Sequence, residues 1–337
     1  MRSQHDPRPT MFEGLEPRQL LSTYVVDYAG ADSNGNFGAG DFTLREAIEQ
    51  ANANPGADEI IFDAGMDGQT INLSRDLVWI TDEVSVRGVD ADDAPISVTI
   101  HGDGFEVFHL DDGDDSGTID TPVLLENLTV NGGYSNAGGA VYSTEALTVI
   151  GCTFQFNSAS RGGNIFQTGG SLTVRNSSIS DGNATTGGGI AVDSADSFPL
   201  TSSYVTYNYA GSHAGIGVVG DPVEVVIEDS EIAYNIAYTG NGAGIAIVGP
   251  HTLRLVASNV NRNDATSYNG GGLYLSGLTD TLVLGSSFSH NMASDGAGLY
   301  IADAAGATKL HNSTVSANFA TSDGGGVLFD SPGRHLR

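Results

Sequence analysis

The chain is poor in positive charge. Lys309 is the single lysine among 337 residues, and 13 Lys plus Arg stand against 41 Asp plus Glu, which gives a formal net charge of −28. A protein that binds nucleic acid or an anionic membrane surface needs a cationic patch, because the phosphates of its partner are negative. The composition therefore predicts no nucleic-acid partner. It favours either solubility in salty surroundings or the binding of small cations.

Cysteine and long apolar runs are also scarce. Cys152 is the only cysteine, so no disulfide forms within the chain. No stretch approaches the roughly 18 consecutive apolar residues that indicate a membrane-spanning helix. The N-terminus also lacks the apolar segment of an ordinary secretory signal. The sequence therefore predicts no membrane span.

Glycine is abundant, and it recurs with a period. The 46 glycines include clusters that precede an apolar residue every 24 to 29 residues. The apolar residues of this series are Val141, Ile165, Ile190, Ile216, Ile245, Leu273, Leu299 and Val327. An asparagine series keeps the same step: Asn131, Asn157, Asn183, Asn208, Asn235, Asn263, Asn291 and Asn318. One structural unit used many times at this period indicates a solenoid, a propeller or another repeat array.

Each repeat is too short to form a sheet of its own. Residues 162–183 show three short strands separated by three glycine- or asparagine-containing turns. Each strand must therefore pair with its equivalent in the next repeat, which gives parallel sheets along the array. This predicts an all-β, single-stranded parallel β-helix of about ten coils. The apolar series forms one interior line, and a second is expected to contain Leu147, Leu172, Val226, Leu255 and Leu282. The asparagines are predicted to form a ladder of amide hydrogen bonds in the turn after the third strand.

The segment before the repeats predicts one helix. Residues 42–52 place apolar side chains on one face, and Thr43 with Glu46 has the spacing of a capping box. We interpret residues 1–22 as an export or targeting tail, 23–69 as an N-terminal cap with this helix, and 70–337 as the β-helix. The repeats are clearest at 128–330. Arg45 and Glu46 are expected to form a structural ion pair in the cap.

Three short segments resemble known families. Gly138-Gly139-Ala140-Val141 and Phe154-Gln155-Phe156-Asn157 are similar to the repeat of the polymorphic outer-membrane-protein family. That resemblance implies a right-handed, pectate-lyase-like parallel β-helix in a secreted or surface adhesin. Residues 42–52 resemble the CSLREA segment that caps many such helices. Residues 15–22, Leu-Glu-Pro-Arg-Gln-Leu-Leu-Ser, resemble the LEPR-XLL export motif of extracellular planctomycete proteins.

An acidic loop offers the best local site. With Asp112 as the first position, Asp114, Ser116 and Asp120 follow the spacing of a calcium loop, although Val123 stands where such a loop has its bidentate Glu. The alternative is a solvated insertion loop between coils. A melting temperature that does not change with added calcium would contradict calcium binding.

The resemblances leave two classes of function open. The first is a non-enzymatic secreted or cell-surface β-helix with a structural, adhesive or glycan-contacting role, its partners being glycans or other surface proteins. The second is a polysaccharide lyase or glycoside hydrolase acting on acidic glycans. The polygalacturonase signatures Asn-Thr-Asp, Gly-His-Gly and Arg-Ile-Lys are absent, and no catalytic residue is predicted. Arg262, in a turn, is expected to be solvated. The last repeat shows no polar cap, which predicts further sequence or end-to-end association.

Overall fold

The chain winds into a solenoid of parallel strands. The computed structural model describes residues 21–113, 121–221, 223–303 and 306–330. Equivalent strands of successive coils pair in parallel and build four long sheets of 11, 10, 8 and 9 strands. The predicted all-β parallel β-helix of about ten coils with one short helix is confirmed. In the described ranges, no helix has the length and apolar character needed to cross a lipid bilayer.

The sheets are numbered in the order in which the chain meets them within a coil. Sheet 1 contains Ser22–Val26, Asp58–Phe62, Val84–Arg87, Val123–Glu126, Leu147–Ile150, Leu172–Arg175, Ser197–Thr201, Glu224–Glu228, Thr252–Val256, Asp280–Leu284 and Thr308–His311. Sheet 2 contains Thr70–Asn72, Val98–His101, Leu128–Asn131, Thr153–Gln155, Ser178–Ser180, Tyr204–Thr206, Glu231–Ala233, Asn259–Asn261, Ser287–Ser289 and Thr314–Ser316. Sheet 3 contains Tyr134–Ala137, Ser158–Arg161, Asn183–Thr186, Tyr209–Ser212, Ile236–Ala237, Asp264–Asn269, Met292–Asp295 and Phe319–Ala320. Sheet 4 contains Phe108–Leu110, Val141–Ser143, Ile165–Gln167, Ile190–Asp193, Ile216–Val219, Ile245–Val248, Leu273–Ser276, Leu299–Ala302 and Val327–Asp330.

Sheet 3 corrects the prediction of three strands per coil. Its strands are rich in Ser, Thr, Asn and Ala, as in Ser158–Arg161 and Asn183–Thr186. Their inner side packs on small side chains, including a separate buried cluster of Ala210, Ala214, Ala237, Ala243 and Ala265. Because no large apolar residues alternate along these strands, the hydrophobic pattern that identifies a half-buried strand is missing. The sequence pattern of these residues therefore resembles that of a turn.

The interior is filled by aliphatic and aromatic columns. The apolar series from Val141 to Leu299 is buried, and Val141, Ile165 and Ile190 are direct neighbours in sheet 4. The second predicted line is partly wrong. Val226 and Leu282 lie on the outer face of sheet 1, where Arg254 is their common neighbour, and Val225 and Leu253 take the interior positions. The side-chain period of a strand is two, so an offset of one residue moves a position to the opposite face.

The helix α1, Leu44–Ala53, covers the N-terminal end of the coils and contacts the first two strands of sheet 1. Thr43 is its N-cap, and both hydrogen bonds of the predicted capping box with Glu46 are present. The expected ion pair between Arg45 and Glu46 does not form. Arg45 instead donates to the carbonyls of Ala31 and Arg75, and Glu46 accepts from the backbone of residues 34, 35 and 43.

Burial of Glu46 raises its pKa, but these hydrogen bonds to the carboxylate outweigh that effect and lower the pKa overall. Neighbouring helical side chains at consecutive positions point in different directions, so adjacency of opposite charges in the sequence did not indicate an ion pair.

Candidate binding groove

A ladder of asparagines runs through the turn between sheets 2 and 3. Asn208, Asn235, Asn263, Asn291 and Asn318 stack in consecutive coils. Each amide nitrogen in this series up to Asn291 donates to the Oδ1 of the next asparagine at 2.9–3.0 Å. The same Nδ2 atom also donates to a backbone carbonyl of the preceding coil, as Asn263 does to Ile232 at 2.9 Å. The ladder therefore satisfies backbone groups that are buried in the turn.

The ladder does not contain two of the predicted asparagines. Asn131 is at the end of a sheet 2 strand and contacts the ring of His101, and Asn183 is exposed at the start of a sheet 3 strand. Glycines stand at the ladder position in these coils: the Gly133 amide donates to Asn157 Oδ1, and the Gly182 amide donates to Asn208 Oδ1. The coil of Asn183 has no extra residue, since Ser180 pairs with Gln155 and Asn183 pairs with Ser158. The asparagine stands one position after the ladder position, at the start of the sheet 3 strand.

Asn164 repairs the gap that Gly182 leaves. Its side chain accepts from Asn157 Nδ2 at 2.8 Å and donates to Asn208 Oδ1 at 3.2 Å. A Cβ atom at Gly182 would lie 2.4 Å from the Asn164 amide nitrogen, so the glycine makes the space that this side chain fills. The hydrogen-bonded line from Asn157 to Asn318 is therefore continuous.

A serine ladder lies in the turn between sheets 1 and 2 and was missed. The hydroxyl of each serine accepts from the backbone N–H of its equivalent in the preceding coil at 3.1–3.2 Å. Its members are Ser177, Ser203, Ser230, Ser258, Ser286 and Ser313. The signal was present, since every one of these serines stands five residues before the ladder position of its coil. Cys152 occupies the same place in its coil, where burial raises the pKa of its thiol to about 12.

The residue before each ladder position forms a column on the outside of the turn. We call this set the turn column: Phe156, Asp181, Tyr207, Tyr234, Arg262, His290 and Ala317. All seven have left-handed backbone conformations, with φ between 50° and 59°. That conformation is uncommon for residues other than glycine and rare for aromatic ones. It turns the next residue into the core and leaves the column's own side chains outside. The residue before the serine ladder position has the same conformation in most coils, for example Asn176 and Ser202, so this backbone is the geometry of the coil turn.

The turn column and the adjacent strands of sheet 3 enclose an open groove. The groove has a volume of about 430 Å³. It is lined by Tyr207, Tyr209, Tyr234, Ile236, Arg262, Asn263, Asp264, His290 and Met292. Tyr207 and Tyr234 stack with ring centroids 4.7 Å apart and planes 5° apart, and Tyr209 stacks on Tyr238 at 6.4 Å. We call this feature the aromatic groove. Its walls are apolar faces with a few polar groups, which is the composition of a ligand site.

Arg262 is exposed, as the sequence suggested, and it also lines the aromatic groove. Its guanidinium carbon lies 5.4 Å from the centroid of the Tyr234 ring, and its Nη1 donates to Asn261 Oδ1 at 3.1 Å. A cation over an aromatic face is stabilised by the ring's quadrupole. Arg262 directly precedes Asn263, just as Tyr207 and Tyr234 each directly precede the ladder asparagine of their own coil. This spacing was the signal that Arg262 belongs to the same column.

The predicted calcium residues fall mostly outside the described part of the chain. Asp114, Ser116 and Asp120 lie there. Asp112 is described, and its carboxylate accepts from Thr121 Oγ1 at 3.0 Å. Oxygens of Asp111, Asp112 and Glu145 lie within 4.8 Å of one another. The Glu145 carboxylate also accepts from the Thr121 amide and the Thr144 hydroxyl, both at 3.0 Å. Hydrogen bonds within the protein thus satisfy the Glu145 carboxylate. Calcium binding by this loop stays a prediction.

A partly buried histidine follows a strand of the groove. His213 comes directly after Tyr209–Ser212, its Nδ1 atom is buried without a hydrogen-bond partner, and burial lowers its pKa to about 4. The unfolded chain, with a histidine pKa near 6.5, binds a proton that the folded chain does not bind between about pH 6.5 and pH 4.

We therefore expect the free energy of unfolding to fall by up to about 3 kcal/mol as the pH drops from 7 to 4. Urea titrations at several pH values measure this loss, and His213→Gln removes the His213 contribution from the slope. Equal slopes for the two proteins would contradict the assignment. His311, exposed on sheet 1, gives the control variant His311→Gln.

Comparison with known proteins bears on the fold. A family model described as the right-handed beta helix region matches residues 165–334, which is half of the chain. No curated protein and no solved structure matched the chain.

Proposed function

The chain belongs to the family of right-handed β-helix proteins, and from this premise we propose that it is a non-enzymatic extracellular or cell-surface protein whose aromatic groove binds glycans. The observation that carries the proposal is the exposed, stacked tyrosine surface in the turn column. Tyr207 and Tyr234 are exposed by 45% and 36%. Tyr238, outside the column, stacks on Tyr209 of the groove and is exposed by 58%. Large aromatic side chains left in solvent as a contiguous set indicate an interaction site.

Tyrosine suits a glycan for two reasons. Because Tyr207 and Tyr234 stack on each other, the pair offers apolar ring edges to the C–H groups of a sugar ring, and the hydroxyls offer hydrogen bonds beside them. Successive coils are about 4.8 Å apart, the spacing of paired strands, so Tyr207, Tyr234 and Arg262 follow one another along the solenoid. The groove is therefore suited to an elongated ligand that lies along the solenoid.

The composition of the groove favours binding over hydrolysis. Glycoside hydrolysis uses a pair of carboxylates on either side of the scissile bond. Among the described residues that line the groove, Asp264 supplies the single carboxylate. Its Oδ1 already accepts from the amide and the hydroxyl of Thr266. The alternative of a lyase or hydrolase predicts soluble products from acidic glycans, and a product-release assay on polyuronates tests it.

The extracellular location rests on the resemblance of residues 15–22 to an export motif and on the acidic composition. Fractionation of the native cells, with detection of the chain in the medium or on the cell surface, tests it. Recovery of the chain only from the cell interior would contradict this part of the proposal.

Tyr234→Ala is expected to weaken glycan binding about tenfold or more, since it removes the ring that contacts both Tyr207 and Arg262. A screen of immobilised neutral and acidic oligosaccharides identifies a ligand, and isothermal titration then compares the variants. Tyr134→Ala is the matched control. Tyr134 is exposed in sheet 3 and shares a column with Tyr209, three coils away. Equal losses in both variants, or no binding to any glycan, would contradict the proposal.

A further inference from the structure

Arg262 shares with Arg45 and Arg175 the lack of a described carboxylate within ion-pair distance, and of these three it is the arginine that lines the aromatic groove. Four other arginines, Arg75, Arg87, Arg161 and Arg254, each have a carboxylate within ion-pair distance. No described carboxylate lies that close to Arg262, although the chain has about three acidic residues for every basic one. One guanidinium N–H is used by Asn261. The remaining donors of its five can bind a ligand beside the exposed tyrosine rings.

The guanidinium is held in place for such a ligand. The Tyr234 ring supports one of its faces, and the hydrogen bond to Asn261 fixes one edge. Asn261 in turn donates to Glu231 at 3.1 Å, so the supporting amide is itself oriented. A planar guanidinium with free parallel donors matches the geometry of a carboxylate.

The surroundings set a limit on the charge of the ligand. A net charge of −28 repels a polyanion at long range. The described lining of the aromatic groove contains one arginine, Arg262, and one carboxylate, Asp264. A ligand with one negative group gains the contact with Arg262. Each further negative group on the ligand finds no second arginine in the described lining of the groove and is repelled by the acidic chain.

We propose that the aromatic groove selects glycans that carry one isolated carboxylate, which binds Arg262 while the neighbouring neutral sugar rings lie against Tyr207 and Tyr234. This inference rests on the proposed function, because it assigns the specificity of the same groove. It distinguishes the chain from proteins that bind densely charged polyuronates.

The test uses the full chain and three probes: a neutral oligosaccharide, the same oligosaccharide ending in one uronic acid, and polygalacturonate. We expect the singly charged probe to bind about tenfold tighter than the neutral one, with polygalacturonate the weakest per sugar residue. In Arg262→Gln, we expect the ratio of the dissociation constants of the neutral and the singly charged probe to be close to one. Arg254→Gln, which removes an exposed arginine paired with Glu228 at 3.3 Å, leaves that ratio unchanged.

The outcomes separate the inference from the proposal beneath it. Equal binding of the neutral and singly charged probes, still sensitive to Tyr234→Ala, overturns the specificity and keeps the glycan-binding function. Tightest binding of polygalacturonate also overturns the specificity. Failure of all three probes and of the wider oligosaccharide screen overturns both. A ratio that falls equally in Arg262→Gln and Arg254→Gln assigns the preference to overall charge and overturns the role of Arg262.

Discussion

Asn263→Ala is expected to lower the free energy of unfolding by about 3–5 kcal/mol, because it leaves several buried polar groups without partners. The Asn263 side chain accepts from the amide and Nδ2 of Asn235 at 3.1 and 2.9 Å, and it donates to Ile232 and Asn291. Asn263 is fully buried, so water does not replace these bonds. Chemical denaturation monitored by circular dichroism measures the loss.

Asn183→Ala is the matched control for that prediction. It changes the same residue type in the same repeat pattern, but Asn183 is exposed and outside the ladder. We expect a change within about 0.5 kcal/mol. Similar losses in both variants would show that the ladder has no special contribution to stability.

Gly244→Ala is expected to cause the second large loss in the free energy of unfolding. A Cβ atom at this position would lie 2.5 Å from the carbonyl oxygen of Gly272 in the next coil and 2.9 Å from Asn263 Nδ2. The same carbonyl accepts from the Ile245 amide at 2.9 Å, so moving it apart breaks an inter-coil bond. Overpacking against backbone costs about 1–3 kcal/mol, and the lost hydrogen bonds add to it. We expect a total of about 3 kcal/mol or more, measured as above.

Gly326→Ala is the control for Gly244→Ala, because Gly326 belongs to the same glycine series and no backbone atom lies close to its Cβ position. Gly326 stands one position before Val327, as Gly244 stands before Ile245, and the nearest atom to its Cβ position is Val315 Cγ1 at 3.6 Å. Neither glycine has a positive φ. Alanine at 326 should therefore be tolerated, and a loss as large as that of Gly244→Ala would contradict the explanation by coil-to-coil approach.

The sequence predicted the features that depend on repetition. The apolar series was identified because each member packs on its equivalent, as Ile216 does on Ile245. The glycine before each member was identified for a related reason: the backbone of the next coil leaves no room for a Cβ atom. The capping box of Thr43 and Glu46 followed from local chemistry alone.

The features that were missed depend on offsets of a single residue. Asn183 approximates the period and lies outside the ladder, because Gly182 holds the ladder position and Asn183 begins the following strand. The strands of sheet 3 could not be predicted from the sequence, because they bury alanine and expose polar side chains. The aromatic groove combines residues of different types, so no repeated letter marked it. Its members became recognisable only as neighbours of the ladder asparagines.

The bridge that Asn164 makes between Asn157 and Asn208 has a consequence for how such a chain changes over time. One ladder side chain is absent at Gly182, and the coils on both sides nevertheless keep their register. A ladder asparagine can therefore be replaced in one coil without a break in the hydrogen-bonded line, provided that a nearby side chain such as Asn164 reaches the vacated space.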